Sequence, residues 1–250
     1  MSSALDPARA LFRITGTDRI DFLQGLVSND VSRLAEGPVY AALLSPQGKY
    51  LADFFLIADG DGVILDVAEP LAAGLAQRLN MYKLRADVAI APMDSGVTRG
   101  LGEVPAGAVA DPRHPEMGWR CYDGSVPDQP IDWPALRVRL AIPESGIELQ
   151  PNDSYILEMD FERLNGVDFR KGCFVGQEVV ARMHHKTTLK KGLRRVRIDG
   201  EADVGTEITL GDKPAGAVFT QVGGEALAYL RFDRMGPDMK AADATLAPAD

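Results

Sequence analysis

The chain has few cysteines and no long apolar run. Two cysteines, Cys121 and Cys173, occur in 250 residues. Two are too few for a disulfide framework and are typical of a reducing compartment. No basic-then-apolar leader pattern precedes Leu5, so the sequence predicts a cytoplasmic protein. Apolar runs such as residues 54–57 are far shorter than the ~20 residues of a membrane helix, so we expect no membrane partner.

Positive charge is also scarce. The sequence has 36 Asp and Glu against 27 Lys and Arg, which gives a formal net charge of −9. A general nucleic-acid-binding protein needs a basic surface to displace the counterions of phosphates. We therefore expect no nucleic-acid partner.

Several standard chemical motifs are missing. The sequence contains neither Gly-x-Gly-x-x-Gly nor a P-loop, and no nucleophile elbow lies near His114. Adjacent histidines on a helix point about 100° apart, so His184 and His185 would rarely share one ion with Cys173. We expect no metal site.

Apolar patterns predict an α+β fold with an antiparallel sheet. We expect one helix that starts at Thr17 and carries apolar positions through Leu34, and a second that starts at Pro70. Further helices are expected from Asp132 to Leu140 and over residues 155–164. Residues 92–130 show no clear period. The expected strands of this part are 10–14, 39–44, 49–57, 63–67 and 86–91.

The pattern changes near residue 190. Short alternating segments separated by glycine turns are typical of a small β-barrel. The expected strands are 195–198, 207–210, 217–221 and 226–231, and the tail from Met239 is expected to fray. We predict a region 1–188 of two α+β modules, split near 92–130, and a C-terminal barrel over 189–250.

The segment 170–178 concentrates the residues suited to chemistry. Gly172 and Gly176 flank Cys173, and the helical pattern that follows would place a helix N-terminus near the thiol. That dipole, with Arg170 and Lys171, is expected to make the thiol reactive. A buried structural cysteine in a glycine turn is the alternative.

A basic strip begins at the same segment. Residues 170–197 contain nine Lys or Arg, opposed only by Glu178. Such a strip on an acidic chain suits a small polyanionic ligand or an acidic partner. A solvated face that balances acidic neighbours is the alternative interpretation.

The stretch 171–178 reads Lys-Gly-Cys-Phe-Val-Gly-Gln-Glu and is followed by Arg182. It resembles the signature of the YgfZ-type folate-binding proteins, relatives of the glycine-cleavage T-protein, an aminomethyltransferase. Residues 23–31 resemble the first helix of that family, and residues 43–53 resemble its first long hairpin. Residues 182–185 look like the mitochondrial iron–sulfur assembly branch of the family.

This resemblance implies three modules arranged in a ring around a central folate site. It implies tetrahydrofolate-dependent support of iron–sulfur enzyme maturation or repair, with Cys173 as the reactive thiol and Lys171 tuning it. A transient iron–sulfur cluster is a further candidate cofactor, and the implied partners are folate and iron–sulfur assembly or client proteins. The implied folate-binding residues are Asp53, Asn29, Gln177, Glu178 and Arg182.

Two positions depart from the family pattern. Phe174 stands where tyrosine is more common, and Ala52-Asp53 keeps one acid of the pair found in aminomethyltransferases. Those transferases also lack the cysteine motif. Two other functions stay open, namely a tetrahydrofolate-dependent aminomethyl or one-carbon transferase and a non-catalytic module that docks acidic partners. The sequence does not establish whether the protein turns over a substrate.

Overall fold

The computed structural model describes residues 9–186 and 188–249, which form two compact units. The first unit contains the residues up to Ile131 together with Phe161–Val179, and the second contains Asp132–Asp160 and the residues from Val180 onward. The mixed α and β content confirms the predicted fold class. A single domain boundary after residue 188 stays a prediction.

The regular elements follow one another in mostly short segments. The helices are α1 (Arg19–Gln24), α2 (Glu69–Lys83), α3 (Trp133–Leu140) and α4 (Gln177–Lys186). The strands of the first unit are β1 (Arg9–Thr15), β2 (Val39–Leu44), β3 (Tyr50–Asp59), β4 (Gly62–Ala68), β5 (Ala89–Pro92), β6 (Thr98–Gly100), β7 (Ala108–Ala110) and β8 (Trp119–Cys121). Those of the second are β9 (Lys191–Asp199), β10 (Glu207–Leu210), β11 (Lys213–Val222), β12 (Glu225–Arg231), β13 (Met239–Ala241) and β14 (Ala244–Pro248).

An antiparallel sheet of five strands forms the centre of the first unit, in the order β2-β3-β4-β1-β5. The β2–β3 and β3–β4 turns join neighbours directly, as the predicted hairpins require. Helix α2 begins with Pro70 in its first turn and buries Ala72, Leu75 and Leu79 in the same apolar core as the sheet.

A second, three-stranded sheet in the order β6-β8-β7 lies in residues 98–121, where no period was evident. Its strands are three residues each, too short for alternation to be recognised. The sequence pattern therefore did not predict this sheet.

The second unit contains a closed barrel in the order β10-β11-β12-β9-β14-β13. Its core includes Val196, Ile198, Val218 and Leu246, which alternate with more exposed neighbours along their strands. Helix α3 starts as predicted, because the Asp132 side chain accepts a hydrogen bond from the Ala135 N–H at 2.9 Å.

The prediction of a frayed tail after Met239 is wrong. Strands β13 and β14 close the barrel, and β14 pairs with β9 from Thr245↔Asp199 to Pro248↔Val196. Met239, Ala241, Ala244 and Leu246 are fully buried. Burial of these four side chains explains why the tail is ordered.

One predicted helix is shorter than expected, and another is absent from the described structure. Helix α1 ends at Gln24, and a separate 3-10 helix, Val31–Ala35, follows it. Between them Val27 forms a bridge to Leu43, so tertiary pairing overrides the helical spacing. Residues 156–165 form successive turns instead of a helix, and Asp160 within them has a left-handed φ of 65°.

Within the described part of the chain, no helix is both long enough and apolar enough to cross a membrane.

Candidate functional site

The candidate site centres on a short exposed loop of the first unit. We call residues 172–175 the Cys173 loop. Gly172 and Cys173 are exposed, whereas Lys171 before them and Phe174 after them are buried. The alternative of a buried structural cysteine is therefore excluded for Cys173. Helix α4 begins at Gln177, four residues later, as the helical pattern predicted.

The segment before this loop is tied by a series of hydrogen bonds to residues 28–29, which follow α1 in the sequence. The Asn29 amide donates to the Asn165 carbonyl at 2.6 Å, and the Ser28 hydroxyl donates to the Gly166 carbonyl at 2.6 Å. The Asp168 N–H donates to the Ser28 carbonyl at 3.1 Å. We call residues 165–171 the anchored segment.

Lys171 is the last residue of the anchored segment. Its ammonium group donates to the carbonyls of Gln24 at 2.7 Å and Val27 at 2.5 Å. Burial lowers the pKa of Lys171 to about 8, although the carboxylates of Asp30 and Asp168 act in the opposite direction. The ammonium is thus held by backbone oxygens at the carboxyl end of α1, where a cation is favourable.

A second attachment follows the loop at the β2–β3 turn. Gly176 has a φ of +83°, and a Cβ there would lie 2.6 Å from the Ser45 carbonyl oxygen. On the other side, a Cβ on Gly48, whose φ is +73°, would lie 2.7 Å from the Val179 Cβ. Only glycine accepts both the conformation and the close approach at these two positions.

Asp53, predicted to contact folate, is 3 % exposed on β3. Its carboxylate accepts hydrogen bonds from the hydroxyls of Tyr40 at 3.0 Å and Tyr50 at 2.6 Å. Burial raises the pKa of Tyr40 well above its usual value, and the adjacent Asp53 carboxylate adds to the effect. The Tyr40 hydroxyl therefore stays protonated as a donor, and Asp53 is not the solvent-facing strand residue that was its alternative.

Asn29, also a predicted folate residue, lines a cavity of about 330 Å³ in the first unit. Its amide donates to the Tyr40 carbonyl at 2.8 Å as well as to Asn165, so Tyr40 links Asn29 to Asp53. The cavity also has a cation and an anion, Arg33 and Glu36, among its lining residues.

The three remaining predicted folate residues lie on α4. Gln177 is half-buried in its first turn, whereas Glu178 and Arg182 are exposed. Of the five, Asn29 and Asp53 are linked through Tyr40, and the other three share α4. The folate-binding role of all five stays a prediction.

The basic strip is not one uniform solvated face. Lys171 is buried, and in the second unit Arg194 lies over the Phe232 ring at 4.2 Å while Lys191 lies over Tyr229 at 5.0 Å. Arg195 donates to the Arg139 carbonyl. Several of the nine cations are thus occupied by contacts within their own unit.

A different charged cluster, which the sequence did not indicate, is buried in the first unit. We call it the Asp66 cluster. The Asp66 carboxylate accepts hydrogen bonds from Arg9 at 2.6 Å, Arg120 at 2.6 Å and Tyr122 at 2.8 Å. Burial alone would raise the pKa of Asp66, but Arg120 and Arg9 outweigh it and hold that pKa at about 2.

Sequence reasoning also missed Ser28, Tyr40 and Tyr50, which hold the predicted residues in place. A polar Ser28-Asn29 pair directly after an apolar helix was the available signal, but its partners are 136 to 138 residues away.

The arrangement of the side chains in the first and second units also bears on metal binding. Among residues 9–186 and 188–249, no group of three His, Cys, Asp or Glu side chains is arranged to hold a metal ion.

Known proteins resemble this chain in both sequence and fold. Residues 190–250 match the family described as the CAF17 C-terminal β-barrel domain. The mitochondrial iron–sulfur cluster assembly factor IBA57 of Mus musculus is 31% identical over 234 residues, which are 77% of this chain and 65% of that protein. Its counterpart in Homo sapiens is 31% identical over 76% of this chain and 64% of that protein. The chain is thus similar in sequence to these IBA57 proteins over about three quarters of its length.

A fungal IBA57 homologue, from Mycosarcoma maydis, is 29% identical over 74% of this chain and 54% of its own length. The chain thus spans between about half and two thirds of these three relatives. The crystal structure of aminomethyltransferase T of the glycine cleavage system from Bartonella henselae superposes with a TM-score of 0.74 and 11% identity. That match covers 97% of this chain and 83% of the other, and it confirms the predicted T-protein fold.

The predicted cytoplasmic location is wrong, because all three IBA57 relatives are named as mitochondrial proteins. Two free cysteines indicate a reducing environment, and that property does not distinguish the cytoplasm from other reducing compartments.

Proposed function

We propose that this chain supports the maturation or repair of iron–sulfur enzymes through its Cys173 loop, with tetrahydrofolate as a bound cofactor. The observation that carries the proposal is an exposed cysteine on a loop fixed at both ends, in a chain similar in sequence to iron–sulfur cluster assembly factors. Iron–sulfur assembly or client proteins are the partners that this role requires.

The chemistry of the loop suits a transient contact with a cluster. Cysteine thiolates are the usual ligands of iron–sulfur clusters, and the chain offers one exposed thiol, Cys173. Cys121 is fully buried, with its sulfur 3.0 Å from Asp123 Oδ1. One thiol supplies only part of a cluster's usual ligand set, so a partner would provide the others.

The cavity beside Asn29 suits part of a tetrahydrofolate molecule. Its volume of about 330 Å³ lies at the lower end of the range of small-molecule pockets. Arg33 supplies a cation for a carboxylate of the glutamate tail, and Pro38 supplies apolar surface. Bound tetrahydrofolate would serve as a one-carbon carrier.

Asp53 does not suit direct contact with the cofactor, because it is almost fully buried and both oxygens accept from tyrosines. We assign it the role of holding Tyr40 behind the cavity. Gln177, Glu178 and Arg182 remain candidates on α4 for contact with folate or with a partner.

Genetic complementation tests the role of the loop. In cells that lack the corresponding assembly factor, the wild-type chain and a Cys121→Ala variant should restore iron–sulfur enzyme activities, whereas Cys173→Ala should not. Cys121 is the matched control because it is the other cysteine and is buried. Full restoration by a folded Cys173→Ala protein would contradict the proposal.

Calorimetric titration with tetrahydrofolate tests the cofactor. Arg33→Ala should weaken binding roughly tenfold, since a charged hydrogen bond is lost, while the exposed Arg85→Ala in the same unit should not. Absence of saturable binding at about millimolar tetrahydrofolate would overturn the folate part of the proposal and leave the cysteine part standing.

A further inference from the structure

Lys171 was expected to tune the Cys173 thiol, but its ammonium is engaged elsewhere. It donates to the carbonyls of Gln24 and Val27, which are 147 and 144 residues away in sequence. Lys171 is 7 % exposed, and its Nζ lies 4.9 Å from the centre of the Phe174 ring. Its hydrogen bonds therefore connect the start of the Cys173 loop to the end of α1.

The anchored segment prepares this contact. The hydrogen bonds of Asn29, Ser28 and Asp168 hold residues 165–168 against residues 28–29, three residues before Lys171. The Asp168 carboxylate also accepts the N–H groups of Arg170 at 2.7 Å and Lys171 at 3.2 Å. Lys171 is thus the last fixed point before the exposed Gly172 and Cys173.

From this arrangement we infer that Lys171 is a positioning residue, whose ammonium fixes the Cys173 loop to the carboxyl end of α1 and so sets the presentation of the thiol. Gly176 against the Ser45 carbonyl fixes the other end. The inference deepens the proposed role of this loop, on which its biological meaning rests. The test below measures the loop itself, so its failure is distinguishable from failure of that role.

Hydrogen exchange of the full chain tests the inference. Lys171→Met keeps the aliphatic stem and removes the ammonium. We expect the amides of residues 172–176 to exchange roughly tenfold to a hundredfold faster, because two charge-assisted hydrogen bonds are lost. The amides of α2, in the same unit, should be unchanged. Arg170 is an exposed cation directly before Lys171, so Arg170→Met is the matched control and should leave exchange in both regions unchanged.

A conservative variant and the pH profile separate positioning from the other roles. In Lys171→Arg the loop amides should exchange at a rate between those of the wild type and Lys171→Met, since guanidinium is also a charged donor but has a different shape. Alkylation of Cys173, followed by mass spectrometry, should keep its wild-type pH midpoint in Lys171→Met. Cys121 in the same sample should stay unmodified, as a report on global unfolding.

Two results would overturn the inference. One is an unchanged exchange rate at residues 172–176 in Lys171→Met. If the pH midpoint of alkylation were then displaced, Lys171 would tune the thiol, and if it were unchanged, Lys171 would have neither role. The other is faster exchange to the same extent in the loop and in α2, with Cys121 becoming modified. That outcome would reduce Lys171 to a contribution to overall stability.

Discussion

The Asp66 cluster and the Cys173 loop are both rich in charge and lie in the same unit, yet they are built in opposite ways. At Asp66, buried carboxylates and guanidinium groups satisfy one another, as in the further pair of Asp111 with Arg113 at 2.8 Å. At Cys173, the thiol is exposed and the one buried cation is satisfied by backbone carbonyls. Buried charges that pair with one another stabilise the fold, whereas an exposed thiol on a loop held at both ends is accessible from outside.

The largest test of this contrast is removal of the buried charge. Asp66→Asn should lower the free energy of unfolding by about 3–5 kcal/mol, because Arg9 and Arg120 are buried and lose the carboxylate that accepts hydrogen bonds from both. Chemical denaturation measures the change. Asp61→Asn, which removes an exposed partner of Arg13, is the control and should have no measurable effect. Equal effects of the two variants would erase the distinction.

Acid should also remove the charge of Asp66, with a smaller loss of stability than the substitution. The pKa of Asp66 is about 2 in the folded chain against an ordinary value of 3.8. Stability from this group is therefore fully present above about pH 4 and is lost as pH falls toward 2, by roughly 2 kcal/mol. Denaturation series from pH 5 to pH 2 measure the loss. The slope over this interval should become shallower in Asp66→Asn, and an unchanged slope would contradict the assignment.

A third effect on stability, no larger than the effect of acid, is expected at the edge of the Cys173 loop. Gly176→Ala should cost about 2 kcal/mol, because its φ is +83° and the new Cβ would meet the Ser45 carbonyl oxygen. Gly172→Ala is the matched control, since no atom lies within 4 Å of its Cβ position and its φ is not in the left-handed range. Thermal or chemical denaturation compares the two. Equal stability would show that the loop is fixed at Lys171 alone.

Much of the fold was predictable because strong local patterns decided it. The apolar segments of residues 39–67 and the turn residues between them predicted the hairpins. Pro70 and Asp132 marked the starts of α2 and α3, and the glycine-punctuated strands after residue 190 predicted the barrel. The errors occurred where distant segments decide the structure. Strand β14 orders the tail by pairing with β9, and Val27 leaves the helical path to pair with Leu43.

The candidate site divides in the same way. The sequence by itself determined that glycines flank a cysteine beside cations, and that a helix follows at α4. Only the tertiary structure decided that Cys173 is exposed, that Asp53 is covered by Tyr40 and Tyr50, and that Lys171 binds carbonyls near residue 25. The physical reason is range. Backbone preference and side-chain period act over a few residues, whereas the ammonium group of Lys171 is held by carbonyls 147 and 144 residues away, which only the fold brings close to it.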